Sequence, residues 1–305
     1  MRLSRHILWA AIAFLATACG TGVETGKRVT ERDVQRVVEA TTTTTPLSVY
    51  YADSVPAWRV GKRFYVTDDN ARLMFEHSRA FDRDTLHLAG RYLEYRGCDT
   101  VTSLDGRRVV CLLFDDGPRR LVYRTTKSPG EFSSSFVVPF LVNMDMVEHY
   151  RRALVGREYY VTTPIWYSLE NEEMKRGRKF IKVVIDEVAP GNKVLPLKVL
   201  FTARDDGERA LVWLSSGNEL MSSRTFDALF SEANPRLSHP HISDAHWQLI
   251  VLGKVAEGMN KEECRLALGA PRSIAQLPDQ TGLREVWSYD GGITLHFVDG
   301  LLVNR

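Results

Sequence analysis

Cysteine is scarce in this chain. Four cysteines in 305 residues are too few to staple a fold of this length, so its stability must come from buried apolar side chains. Charge of one sign is missing too. With 40 basic and 38 acidic residues the chain carries a formal +2, which excludes the concentrated basic field that nucleic acid demands. After residue 16 no apolar run approaches the roughly 18 to 20 residues needed to span a membrane as a helix. Also absent are the Gly-x-Ser-x-Gly elbow, the Walker loop and the His-Glu-x-x-His helix, each of which would announce a reaction. What remains is a mixed chain, 44% hydrophobic, long enough for two or three domains.

Its first residues carry an address. Arg2 and Arg5 precede an apolar run at 7–16, "ILWAAIAFLA", and small residues then lead to Cys19. The run is too short for a bilayer but suits a secretory signal. "ATAC" resembles a bacterial lipobox, in which the cysteine thiol takes a diacylglyceryl group and the freed amine is acylated; the alternative is an ordinary signal with a chance cysteine. The resemblance implies a signal peptide at 1–18, lipid on Cys19 and stable anchoring, because two or more acyl chains hold where one does not. Gly20 in place of Asp implies the outer membrane and its periplasmic face. Loss of residues 1–18 would leave 38 basic and 38 acidic residues.

Residues 19–46 read as a tether: a short helix in "TERDVQRVVEA", then the spacer "TTTTTP". The centre of the chain repeats itself. "VGKRFYVT" (60–67) matches "VGREYYVT" (155–162), with Gly61 over Gly156. "GRYL" from Gly90 matches "GRKF" from Gly177, "LLFDDG" (112–117) answers "VLFTARDDG" (199–207), and "LVYRT" (121–125) answers "LVWLS" (211–215). The same order and interval recur, so two copies of one module are expected. Short Val, Tyr, Phe and Leu runs broken by Asp-Gly predict antiparallel hairpins. About five strands in each copy is the size of a small closed barrel and is similar to bacterial SH3-like modules. The predicted layout is a first barrel at 47–130, a connector helix and second barrel at 131–217, and a helical linker at 218–244. In the connector, Met146, His149, Tyr150 and Leu154 share a face.

The cysteines allow two readings. "SLDG" looks like a hairpin turn, and a four-residue loop at 103–106 would set Cys98 opposite Cys111, within reach of a disulfide. In the register of the repeat, Cys98 falls on Ile185 and Cys111 on Lys198, which suggests opposite faces.

The last sixty residues are closely punctuated. In "GMNKEECRLALGAP" (258–271), Asn260 and Glu263 form a capping box, Cys264, Ala267 and Leu268 share one apolar face, and Gly269 and Pro271 end the helix. A helix with Trp247, Ile250 and Val251 on one side precedes it, and strands at 284–290, 293–299 and 301–305 follow. Helices on one face of an antiparallel sheet would bury Trp247, Leu268, Trp287, Tyr289 and Phe297 together, with Cys264 as a small core side chain. This stretch resembles the SmpA/OmlA (BamE-like) family of outer-membrane lipoproteins on Gly258, Met259, Asn260, Leu268, Gly269, Pro271, Trp287 and Tyr289. The resemblance covers 245–305 and implies an ααβββ domain, an anchored envelope protein and protein-binding surfaces. In that family's best-known branch the small domain stands close behind the lipid, whereas here residues 20–244 intervene.

Three further clusters are candidates for function. His239, His241 and His246, with Asp244 nearby, have spacing that can ligate zinc; the plainer reading is a proline-bearing loop. Asp115–Asp116 and Asp205–Asp206 recur before glycine, which fits solvated turns better than a converging acid–base pair. Phe64, Tyr65, Tyr159, Tyr160 and Trp213 could line a peptide groove. The expected fold is mainly β with α+β character: two tandem SH3-like barrels, then the BamE-like domain. The expected function is protein binding at the envelope, as an outer-membrane scaffold or assembly accessory without cofactor or catalysis. Peptidoglycan binding through the paired modules is the alternative, and a metal-dependent envelope enzyme comes third.

Overall fold

Runs of alternating buried and exposed residues, separated by Gly-bearing turns, become three antiparallel sheets in the computed structural model, which describes residues 50, 53–76, 85–132, 136–216, 224–279 and 282–304. Cys19, the short helix and the threonine spacer lie outside the described residues. The protein is mainly β, with helices joining and covering the sheets. No helix among the described residues is long and apolar enough to cross a membrane.

The first sheet holds β1 (Arg63–Val66), β2 (Tyr92–Thr102), β3 (Arg108–Asp116), β4 (Arg119–Arg124) and β5 (Leu141–Asn143), in the order β4-β3-β2-β1-β5. The second holds β6 (Glu158–Val161), β7 (Ile165–Tyr167), β8 (Met174–Arg176), β9 (Ile181–Pro190), β10 (Leu197–Ala203), β11 (Arg209–Leu214) and β12 (Phe230–Ser231). Its order, β12-β6-β9-β10-β11-β7-β8, contains the first sheet's pattern with one hairpin added. The duplication extends to individual hydrogen bonds. Gly61 N–H donates to Tyr95 O at 2.8 Å and Gly156 N–H to Ile185 O at 2.9 Å; Gly90 N–H donates to Val66 O at 2.9 Å and Phe180 N–H to Val161 O at 2.5 Å. Gly90 therefore corresponds to Phe180 and not, as its motif suggests, to Gly177. Both sit at positive φ, +79° and +59°. Likewise Phe114 faces Leu121 while Phe201 faces Ala210, so "LVYRT" and "LVWLS" correspond with a shift of one residue.

Neither sheet pairs its two edge strands, β4 with β5 or β12 with β8, which corrects the expectation of closed barrels. The excursion after the first strand of each copy instead reaches back to the fourth: Phe75 bridges Tyr123, and Tyr167 of β7 pairs with Leu211. Only residues 162–164 separate β6 from β7, yet three strands lie between them in the ladder, so the sheet must curl. An aromatic plug fills each curl. Phe75 meets Phe114 edge-on at 6.2 Å between centroids, and Trp166 meets Phe201 at 5.1 Å; Phe114 and Phe201 are corresponding residues.

The boundaries also move. Strand β5 extends the first copy to residue 143, beyond the expected end at 130. The connector helix α1 (Met144–Leu154) starts at Asn143, whose side chain accepts from Asp145 N–H. It buries Met146, Val147, Tyr150 and Leu154 in the core of the second copy, with Val147 in the place expected for His149. The region expected to be a helical linker, 218–244, contributes to that core over residues 226–230, while Ile242 joins the C-terminal core. The short helix α2 (Phe226–Leu229) buries Phe226 and Leu229, Phe230 after it is buried too, and β12 pairs with β6.

Hairpin geometry settles the cysteines. Thr102 faces Arg108, leaving five loop residues in place of four, so Cys111 faces Asp99 and Cys98 faces Leu112. A shift of one residue puts the thiols on opposite faces, Cys98 exposed and Cys111 buried, and both are free. Of the two readings, the bridge is not formed and the placement on opposite faces is what the hairpin adopts.

The C-terminal region holds α3 (Asp244–Val251), α4 (Lys261–Leu268), β13 (Ser273–Asp279), β14 (Gly282–Ser288), β15 (Thr294–Val298) and β16 (Leu301–Asn304). Its sheet has four strands, one more than expected, because "SIAQLPD" pairs with β14 along its whole length. Trp247, Cys264, Trp287, Leu295 and Phe297 are buried together, with Leu268 and Tyr289 packed against them. The anticipated capping box is present, and burial pushes the Cys264 thiol up to about 12.

Candidate functional site

The hairpin added to the second copy builds a groove against the C-terminal region. Pro164, Ile165 and Met174 form one wall; Ala267, Leu268, Tyr289 and Ile293 form the other, enclosing about 520 Å³. Ile165, Met174 and Ile293 are 38%, 71% and 42% exposed, so the walls present apolar surface to solvent. Lys175, Arg176 and Arg272 stand around it. All three cations are engaged: Lys175 lies 2.8 Å from Glu208, Arg176 donates to Gly253 O, and Arg272 lies 3.5 Å from Asp290, which also lines the groove.

The residues that carry the C-terminal motif act on this groove in two ways. Gly258, at φ +83°, donates its N–H to Leu302 O, while Met259 O accepts from Leu302 N–H at 2.8 Å and the Met259 side chain is fully buried. Asn260 bridges Leu301 and caps α4, so the Gly-Met-Asn entry pins the helix start to β16. At the other end, Leu268 lines the groove, and Tyr289 Oη donates to Gly269 O at 3.3 Å. Burial holds the Tyr289 phenol protonated by pushing its pKa up to about 12. Trp287 is fully buried, donates Nε1–H to Glu285 at 3.1 Å and lies beneath Arg265, 4.6 Å from the ring centre.

Lys179 locks the groove's two walls together. Its ammonium reaches from the corner before β9 to the carbonyls of Leu266 and Ala267, the latter at 2.8 Å. A cation there satisfies orphan carbonyls at the end of α4 and faces the negative end of its dipole. Beside it, Phe180 stacks on Trp247 with centroids 5.5 Å apart. Nothing in "GRKF" identifies this grip, since a lysine in a basic run ordinarily faces water.

The histidines part company. His239 Nδ1 and His241 Nε2 lie 2.9 and 3.0 Å from the two oxygens of Glu262, while His246 Nδ1 lies 2.8 Å from Glu263. His246 therefore does not join the other two, and Glu262 takes its place. Glu262 lay unnoticed in the sequence as a surface residue of the α4 first turn. The hydrogen bond from His241, joined by that from His239, holds its carboxyl below the usual range.

The paired acids are bound up in ion pairs. Asp115 lies 2.7 Å from Arg96 and also pairs with Arg120; Asp116 is buried, 3.0 Å from Arg91. The first pair thus belongs to a strand and is not a solvated turn. Arg178 spans Asp205 and Asp206. The Glu208 N–H and then Arg178 keep Asp206 below the usual range, the opposite of what a proton-donating acid requires. Nor do the five aromatics converge. Phe64, Tyr159 and Trp213 are buried, whereas Tyr65 and Tyr160 are only half-buried, as strand alternation dictates for neighbouring residues.

Comparison of the chain with protein-family models, with curated proteins and with solved structures gives no match.

Proposed function

We propose that this is a lipid-anchored protein of the cell envelope that works by binding other proteins, as an outer-membrane scaffold or assembly accessory. One observation carries the binding half of this reading: the apolar groove between the β7–β8 hairpin and α4, with Ile165, Met174 and Ile293 exposed. Apolar side chains gathered in a concave surface with a mixed charged rim suit an amphipathic protein segment. The resemblance of 245–305 to BamE-like lipoproteins supports the same class of role, and the "ATAC" motif with Cys19 supports the anchor.

The test uses the full chain extracted in mild detergent. Met174→Asp together with Ile293→Asp should abolish co-purification of envelope partners captured by in-cell crosslinking, with the fold intact by circular dichroism. Undiminished capture would remove the groove from the reading. Separately, Cys19→Ser should move the product out of the lipid fraction; retention there would refute the anchor.

A second reading, cell-wall binding, draws support from the duplication of a five-stranded, SH3-like sized unit. Sedimentation of the full chain with purified peptidoglycan, unaffected by the groove substitutions, would favour it.

A further inference from the structure

Proline and arginine brace the loop before α3. Asn234 caps the 3-10 turn Pro235–Ser238, and Arg236 turns back to donate to His239 O and, at 2.6 Å, to Ile242 O. The Arg236 guanidinium also lies 5.1 Å over the Trp247 ring, and His239 stacks on that ring at 6.2 Å. Pro240 stiffens the one residue between the two histidines. Two imidazoles are thus presented on a pre-organised backbone, with His239 mostly sheltered and His241 open to solvent.

Opposite them stands Glu262. One of its carboxylate oxygens and one ring nitrogen of each histidine all lie within 4.8 Å of one another, and both histidine–oxygen separations are near 3 Å. Zinc bonds of 2.0–2.2 Å in tetrahedral array place ligand atoms roughly 3.3–3.5 Å apart, so side-chain adjustments alone can close the set around an ion. We infer that His239, His241 and Glu262 form a site for one divalent transition-metal ion of zinc's class, joining the loop before α3 to the first turn of α4. Two imidazoles and one carboxylate match such an ion in softness and leave a fourth position for water.

The charges nearby permit it. Arg236 is neutralised by Asp244 at 3.0 Å, and Lys261 is drawn off to Glu285 at 2.7 Å. His246 is held by the buried Glu263. The site is separate from the groove and does not depend on the binding role proposed for it. Its effect is to staple two segments that meet only after folding, so occupancy stabilises the folded state by mass action.

The test is titration of the untagged full chain in mild detergent, stripped with chelator, with zinc chloride alone. One zinc should bind per chain and raise the thermal midpoint. His241→Ala and Glu262→Gln, at exposed positions that leave the fold intact, should each weaken binding at least tenfold and remove the thermal shift. His246→Ala should leave both unchanged. Absence of saturable binding, full binding by Glu262→Gln, or equal loss in His246→Ala would overturn the assignment.

Discussion

The two halves of the central region share one ladder and spend their first excursion differently. In the first copy the chain after β1 forms a 3-10 turn, Asp69–Met74, and meets β4 without forming a strand, through a bridge at Phe75, the Glu76 N–H donated to Val122 O at 2.8 Å and a Glu76–Arg124 ion pair. In the second it forms the β7–β8 hairpin, which extends the sheet and supplies a wall of the groove. The following corner diverges in the same sense. Ala89 of the first copy is exposed and donates its N–H to Asp69 at 2.8 Å. The corresponding Lys179 is buried and grips α4. Duplication preserved the hydrogen-bonded frame, and the excursion and corner of one copy became the attachment for a third region.

The largest effect should come from the shared plug. Phe75→Ala and Trp166→Ala, both at fully buried positions, should each cost about 3–5 kcal/mol by cavity formation, measured by urea unfolding. A cost under about 1 kcal/mol at either position would show that the two copies do not close in the same way.

Next come the glycines that look alike in the sequence. A methyl on Gly177 would stand 2.0 Å from Trp166 Cδ2, whereas one on Gly90 would meet nothing within 4 Å. Gly177→Ala should therefore cost about 1–3 kcal/mol by overpacking and disturb the β7–β8 hairpin. Gly90→Ala, penalised only through its φ of +79°, should cost about 1 kcal/mol. Equal losses would mean that the two glycines answer to one constraint.

The smallest effect is the pH dependence of the Lys179 grip. Burial, and after it the Arg176 guanidinium, lower this lysine from 10.5 to about 8. Between those values the unfolded chain holds a proton that the folded chain has released, so stability rises with pH through that window. From about pH 10 the unfolded tyrosines oppose the rise, because burial keeps Tyr95, Tyr123 and Tyr159 protonated in the fold. Lys179→Met should flatten the slope between pH 8 and 10, read as thermal midpoints against the parent. An unchanged slope would assign it to other groups.

The legible features were those set by local chemistry. Asn260, Glu263 and Gly269 marked a helix that formed as read, and Gly61 and Gly156 occupy matching turns. Register was harder to read. Gly177 aligned by motif with Gly90, but Phe180 takes the left-handed corner, its cost offset by stacking on Trp247. The turn after Thr102 gained one residue and with it reversed a cysteine. Strand β13 went unseen because Pro278 argues against a strand, although this one lies at the edge of its sheet. The partners of the histidines were the least legible: Glu262 comes from an element 21 residues beyond His241, and only the packing of α4 brings them together.

Helix α1 has one more consequence. It follows the last strand of the first copy, yet its apolar side lies inside the second, and Val142 of β5 is buried there too. Lys62 holds the same helix from the other direction through Asp145. A cut between residues 143 and 144 would leave α1 with the second copy but take Val142 from its interior and Asp145 from the buried Lys62, so the copies share a seam and recombination between relatives should favour exchanging the pair as a block.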